Sequence, residues 1–572
     1  MQWRSALPTR CRNPRICALA RPWFALLALA AGPVLAQTPP PPDAGRILQE
    51  TRPVERAPAP TIAPLQAPPA AAPTAPAGSA DVRVQVNQFE FSGNHALSKE
   101  TLNAVVARWS GRALNFGELI EAVEAVEARY KAEGYFLVQG YLPPQKIKSG
   151  SVEIAISEGT LGEVRLEGES RIDPGVVYGY LERLPKGQPL TLRSVERQVL
   201  LINELAGSHA SLDLQAGEAP GSTDIVIAQA VDPLLSSHID LNNHGSPSTG
   251  NNRLALSVNA NGPFGKGERL SANVMMTDTG NLYSYNLRGE LPVGAQGWRL
   301  SAAASRATYT LGGDFASMNA SGTADALRLG ASYPIVRSRQ SNIKLQLEID
   351  ESKLSDHFKA NTPPTDLDKQ SRGLTATLGG DWLDQNSSTR AEMAWRSAQI
   401  DMGSTAATLD APPTGPGAAG HFSKLSLSAQ HQRSLGQYLS VQLQWNAQLA
   451  SKNLDSSEKL SLGGPATMPG YANGEASGDS GQMLKLALRW QATPTLGLGL
   501  FADWGQLQLL RNPLPAATTP NDKSMSDIGL SADWQLHKDV TLSALLAWAV
   551  HEAPNPTDDA RPRAWLNLGY NW

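Results

Sequence analysis

The sequence predicts an all-β transmembrane barrel of about 16 antiparallel strands, preceded by two small α+β units. Three observations carry that prediction. From Asp232 onward helical periodicity gives way to segments of about ten residues that alternate apolar with polar. The polar face is charged and the apolar face persists over the whole C-terminal stretch, as expected for lipid outside and water inside. The last segment, "AWLNLGYNW", turns Leu566, Leu568, Tyr570 and Trp572 to one side and Asn567, Gly569 and Asn571 to the other, and ends on an aromatic suited to an interfacial girdle. A closed barrel also satisfies every backbone group in lipid, which an open sheet does not.

Taken in chain order, the first segment reads as a secretory signal over residues 1–36. Arg4, Arg10, Arg12, Arg15 and Arg21 form a long basic region before the apolar run "PWFALLALAAGPVLA", and Val34-Leu35-Ala36 offers a cleavage site before Gln37. The run falls short of the roughly 20 residues that a spanning helix needs. Cys11 and Cys17 both lie within this signal segment, so the mature chain is expected to hold no disulfide. Residues 37–80 are a Pro/Ala-rich linker that favours extended conformations. One island, "DAGRILQETR" at residues 43–52, interrupts it: Asp43 can cap a helix whose Ile47 and Leu48 form a small apolar face. Alone, so short a helix is marginal in water.

Residues 81–160 form the first α+β unit. "VRVQVNQFEF" alternates as a strand, Ser98 caps a helix, and residues 116–133 place Leu119, Val123, Val126 and Tyr130 at helical spacing before Gly134. Strands "YFLVQGYL" and "SVEIAISE" close it. Residues 161–232 repeat the order with strand "EVRLEG", helices "VVYGYLERL" and "RSVERQVLLINEL", and strands "HASLDLQA" and "TDIVIAQAV".

Residues 233–572 are the expected barrel. "IKLQLEID" separates Ile343, Leu345, Leu347 and Ile349 from Lys344, Gln346, Glu348 and Asp350, and "LSVQLQWNAQLA" opposes Leu439, Val441, Leu443 and Trp445 to Ser440, Gln442, Gln444 and Asn446.

Enzymatic readings find little support. The net charge of −4 shows no basic footprint for nucleic acid. "GDSG" at residues 478–481 matches the nucleophile loop of trypsin-like proteases, but Ser480 stands at the root of a strand and no His sits in a recognisable partner motif. The histidines lack metal spacing, and "GPFGKGE" lacks the Ser or Thr of a phosphate-binding loop. No catalytic residue, cofactor or metal is expected.

The motifs resemble a known family. "FEFSGNHALS", "YKAEGYFLVQGYLPPQKIKSG", "EGTLGEVRLEG" and "LTLRSVERQVLLINELAG" are similar to those of two-partner secretion transporters, the haemolysin secretion/activation family among barrels that carry polypeptide-transport-associated (POTRA) domains. The resemblance covers nearly the whole mature length and makes the two α+β units POTRA domains. It implies that residues 43–52 form a helix inside the barrel lumen, and that residues 454–481, between the eleventh and twelfth strands, form a long loop folded back into the pore. "LGGPATMPGY" aligns with the family's Leu-Gly-Gly and Val-Arg-Gly-Tyr tip: Gly463, Gly464, Gly470 and Tyr471 remain, while Met468 replaces the valine and Pro469 the arginine. In the family that arginine reaches a wall aspartate. The matching wall motif here is Phe501, Asp503 and Gly505, all placed toward the lumen by alternation. Lys485 and Arg489, inward on the preceding strand, are the expected partners for Asp503.

The implied function is export of a large haemolysin- or adhesin-like exoprotein across the bacterial outer membrane, without nucleotide hydrolysis. The POTRA pair would bind the unfolded substrate in the periplasm. Outer-membrane lipid and, during biogenesis, the barrel-assembly machinery are the other expected partners. An assembly factor that inserts other barrels is the alternative, and the presence of periplasmic modules argues against a passive solute porin.

Overall fold

A computed structural model describes residues 41–52, 83–219, 221–515, 520–551 and 562–572. The signal at residues 1–36 and most of the linker lie outside the described residues. Sixteen strands close into one antiparallel barrel. The first six are β1 (Leu235–Asn242), β2 (Arg253–Asn261), β3 (Arg269–Thr277), β4 (Leu282–Val293), β5 (Trp298–Thr310) and β6 (Ala320–Arg337). The next five are β7 (Ser341–Phe358), β8 (Thr365–Leu383), β9 (Ser387–Met402), β10 (Gly420–Ser434) and β11 (Leu439–Ala450). The last five are β12 (Ser480–Thr493), β13 (Leu496–Gln508), β14 (Asp522–His537), β15 (Val540–Ala549) and β16 (Arg563–Asn571). β16 pairs antiparallel with β1, so no sheet edge faces lipid. The alternation behaves as a lipid-facing barrel requires: Leu347 and Ile349 on β7 are 46% and 55% exposed, whereas Asp356 on its lumenal face is buried.

Two α+β units precede the barrel. In the first, the stretch read as one strand is two. Val84–Val86 pairs antiparallel with Arg112–Leu114, a short strand that propensity did not reveal, and Gln88–Ser92 pairs parallel with Ser151–Glu158. Asn87 is the break, its amide donating to the Gly150 carbonyl at 2.7 Å as the chain changes partners. Its two helices are Lys99–Val106 and Phe116–Ala132; Asn115 and Glu118 close the latter with a reciprocal capping box. The second unit orders its strands Thr160–Gly168, Ser222–Val231 and Ser208–Ala216 under helices Pro174–Leu181 and Leu192–Asn203. It docks on periplasmic turns of the barrel, where Glu204 pairs with Arg337 at 2.5 Å and Arg299 at 3.4 Å, and Glu196 pairs with Arg339 at 3.3 Å.

Candidate functional site: the filled lumen

Two segments fill the barrel. The first is helix α1 (Ala44–Glu50), which Asp43 caps by accepting from the Arg46 amide at 3.0 Å. Its apolar face goes where a water-exposed helix would have nowhere to put it. Ile47 is 1% exposed, packed among Leu282, Ala307, Tyr309 and Leu354 of the inner wall, with Leu48 partly buried at the rim of that cluster. Polar contacts complete the seat. The Ala44 amide donates to Asp356 at 2.8 Å, and Glu50 pairs with Arg253 of β2 at 3.1 Å. Lys369 of β8 lies 3.2 Å from Asp43 and 2.8 Å from Asp455, tying helix, wall and loop together at one ammonium.

The second segment is the loop of residues 451–479 between β11 and β12. It turns inward through a hairpin of Leu460–Leu462 and Ala476–Gly478. Gly463 takes φ +108°, and a Cβ there would lie 2.2 Å from the Ala472 carbonyl oxygen, so only glycine admits the closure. Helix and loop also touch: Gln49 donates to the Ser456 and Lys459 carbonyls at 3.1 and 3.2 Å, and the Arg46 guanidinium donates to the Asn473 carbonyl.

The loop tip is buried against β12 to β16. Met468 is fully buried and Tyr471 1% exposed, in a cluster with Leu462, Met483, Leu507 and Met525. The Tyr471 hydroxyl donates to the Ser526 carbonyl at 2.9 Å, and burial pushes its pKa up, so the phenol stays a donor. The Gly464 amide donates to the Tyr471 carbonyl at 3.1 Å. At the position where the family has arginine, the Pro469 carbonyl accepts from the Trp565 indole at 2.8 Å, and the next amide, of Gly470, donates to Asp527 at 2.6 Å. The tip is therefore held by a tyrosine, a tryptophan and backbone groups.

On the wall, Asp503 is 3% exposed on the lumenal face, while Leu500 and Trp504 are 56% and 39% exposed on the other. Gly505 leaves room for the loop, since a Cβ there would lie 2.6 Å from Leu462. The Phe501 ring lies over Gly529 on β14. Lys485 approaches Asp503 to 3.4 Å and is its register partner. Arg489 is not a partner of Asp503. It stands opposite Gly499, four residues or about 13 Å further along the strand, and pairs with Asp533 at 3.9 Å. Sequence reasoning also missed Asp527. The register sets it directly opposite Asp503, so Asp503 lies between Lys485 on one side and a second buried carboxylate on the other, with neither Asp503 oxygen in hydrogen-bond geometry. The inward alternation of "SMSDIGL" carried part of that signal, but not the register. In the Gly-Asp-Ser-Gly stretch, Asp479 is fully buried and accepts from the Leu454 and Arg511 amides, and the Ser480 hydroxyl accepts from the Ala450 amide. Both residues brace the loop roots.

Comparison with known proteins agrees with this architecture. The family described as "Haemolysin secretion/activation protein ShlB/FhaC/HecB" matches residues 221–514, more than half of the chain, and the ShlB-type POTRA domain matches residues 84–159. The heme/hemopexin transporter protein HuxB of Haemophilus influenzae strain 86-028NP is 24% identical over 490 residues, covering 83% of this chain and 84% of its own. The outer membrane transporter CdiB of Escherichia coli strain 536 is 25% identical over 443 residues, covering 73% of this chain and 71% of its own. Among solved structures, CdiB from Escherichia coli aligns with a TM-score of 0.69 at 19% identity, covering 88% of this chain and 94% of that one. CdiB from Acinetobacter baumannii aligns with a TM-score of 0.62 at 17% identity, covering 92% and 96%. A sixteen-stranded barrel behind POTRA units, matched by the family over its wall and inward loop, leaves one assignment: the chain belongs to the haemolysin secretion/activation family.

Proposed function

We propose that this outer-membrane, two-partner secretion transporter carries a large exoprotein whose unfolded chain its periplasmic units receive. The observation that supports the reading is the state of the lumen. It is plugged by a helix and a loop tip that are held by side-chain contacts and can withdraw without breaking a sheet ladder. The outermost strands of the two sheets, Val138–Tyr141 in the first and Ser208–Ala216 in the second, are edges where an extended chain can add as a further strand, displacing the Glu127 carboxylate from the Gly140 amide and the Asn203 side chain from Ala210. Relatives named as a heme/hemopexin transporter protein and an outer membrane transporter fit this use of the fold. Folding of the exoprotein outside supplies the drive in place of nucleotide hydrolysis. Lipid at the apolar belt and the barrel-assembly machinery during insertion complete the partners. The residues that gate the path are α1 with Asp43, Ile47 and Leu48, and the tip Met468 to Tyr471 seated against Asp503 and Asp527.

The test is deletion of residues 81–159. The expected result is loss of exoprotein from the medium with a heat-modifiable barrel still in the outer membrane. Export at normal levels would remove the recognition role. A general loss of other outer-membrane barrels in cells lacking the protein would instead favour the assembly-factor reading.

A further inference from the structure

We infer that the lumenal faces of β10 and β11 form a neutral track that holds an extended stretch of the exported polypeptide; this rests on the export reading above. The facing is set by contacts. Lys424 and Gln448 both reach Glu458 of the inward loop, so the even-numbered residues of the two strands point into the lumen. Leu443 and Leu449, 43% and 59% exposed, point to lipid. Ser426, Ser428, Gln430 and Gln432 on β10 therefore line the pore, with Gln442, Gln444 and Asn446 on β11. The register sets Ser428 opposite Asn446, Gln430 opposite Gln444 and Gln432 opposite Gln442. The run extends from beneath the loop to the periplasmic turn at residues 435–438.

Two properties single it out. No charged residue occupies those seven positions, although Glu392 and Arg390 flank them on β9 and Lys485 flanks them on β12. And none of the seven makes a side-chain hydrogen bond with another described residue, whereas Gln448, next along, spends its amide on Glu458 and Asp479. Their donors and acceptors face free space, bordered at the upper end by a cavity of about 240 Å³ between Ser428, Asn446 and the loop residues Leu462 and Thr467.

That chemistry fits one occupant. An extended polypeptide presents a donor and an acceptor at nearly every residue, and inward side chains recur about every 6.8 Å along a strand, the chain's own two-residue repeat. Carboxamides and hydroxyls both donate and accept, so they engage a backbone of any sequence. A charged wall would instead hold oppositely charged segments and slow their passage.

The test uses the full mature protein in planar bilayers, with an unfolded, uncharged Ser/Thr/Asn-rich peptide, long enough to cross the bilayer, added on the POTRA side. A photocrosslinker is attached at Ser428→Cys, Asn446→Cys or, as control, Ser284→Cys on the wall beside α1. Crosslink yield at the first two positions is expected to exceed the control by at least about tenfold, equivalent to about 1.4 kcal/mol. In a second arm, the Gln430→Lys, Gln444→Lys double variant is expected to lengthen the dwell time of an anionic peptide of equal length by about tenfold, without altering the uncharged one. Peptide that crosses while crosslinking equally or better at Ser284, or at none of the three, overturns the track and leaves the export reading intact. Unchanged dwell time for the anionic peptide overturns it as well. Failure of any peptide to enter or cross overturns both.

Discussion

The wall of β6 to β9 and the wall of β10 and β11 enclose the same lumen but use charge in opposite ways. On the first, buried charges are matched. Arg396 binds Asp350 and, at 3.1 Å, Glu458; Arg328 and Arg52 both approach Glu348; Lys369 joins Asp43 to Asp455. On the second, below Lys424 and Gln448 at the loop end, the lumenal side chains from Ser426 to Gln432 and from Gln442 to Asn446 are neutral and make no side-chain hydrogen bond to another described residue. A buried charge with its partner is expensive to separate, so the first wall acts as a seat for the plug. Neutral groups hold water or a backbone equally well, so the second wall is free to exchange its contents. The plug and the open side are thus separated by the electrostatics of their walls more than by their shape.

The largest effect expected is at the ammonium shared by three segments. Lys369→Met leaves Asp43 and Asp455 close together without a cation, which should cost about 3–5 kcal/mol in the seating of α1. Single-channel conductance should rise toward that of a chain lacking residues 43–52, with export preserved in both. Unchanged conductance in either chain would mean that the helix is not what closes the pore. Next is Tyr471→Ala, which removes a fully packed aromatic and the bond to the Ser526 carbonyl, a loss of about 3–5 kcal/mol by truncation precedent, partly relieved by refilling. Export should fall further for it than for Asp503→Asn, because the tip is fastened through Tyr471 and the Gly470 amide. If Asp503→Asn were the more damaging, an ion pair would be the real fastening.

A smaller effect concerns pH. His244, in the turn after β1, has its pKa lowered to about 4, by burial first and Arg253 second, and its ring meets Trp565 edge-on at 6.0 Å. The folded state therefore binds fewer protons than the unfolded state between about pH 4 and the ordinary histidine value near 6.5. Its contribution is complete above about 6.5 and is lost as pH falls through that window toward 4. Heat-modifiability midpoints should drop across that range in the native chain and less in His244→Gln. The smallest effect should come from the neutral side: Gln430→Ala and Gln444→Ala should each shift the midpoint by no more than about 0.5 kcal/mol equivalent. A larger shift would show that the amides have structural partners, and would erase the contrast between the walls.

Much of this was legible in the chain. Period-two alternation depends only on neighbouring residues, so it announced the barrel, its strand number and which side chains of β13 face inward. Cap chemistry is equally local, so Asp43 and Ser98 marked their helices correctly. The break at Asn87 was not legible, because a strand that changes partners looks continuous from its own residues. Nor was the site's electrostatics. Whether Asp503 meets Lys485 or Arg489, and that Asp527 stands opposite it, depends on the register of two hairpins, which no residue encodes alone. Lys369 looks like an ordinary pore charge until the closed barrel brings it between a segment more than 300 residues earlier and a loop some 80 residues later. The sequence by itself determined a barrel with polar residues inside. Only the tertiary structure decided which of those residues are locked together and which are left free, because pairing across a closed sheet is set by the hydrogen-bond ladder as a whole.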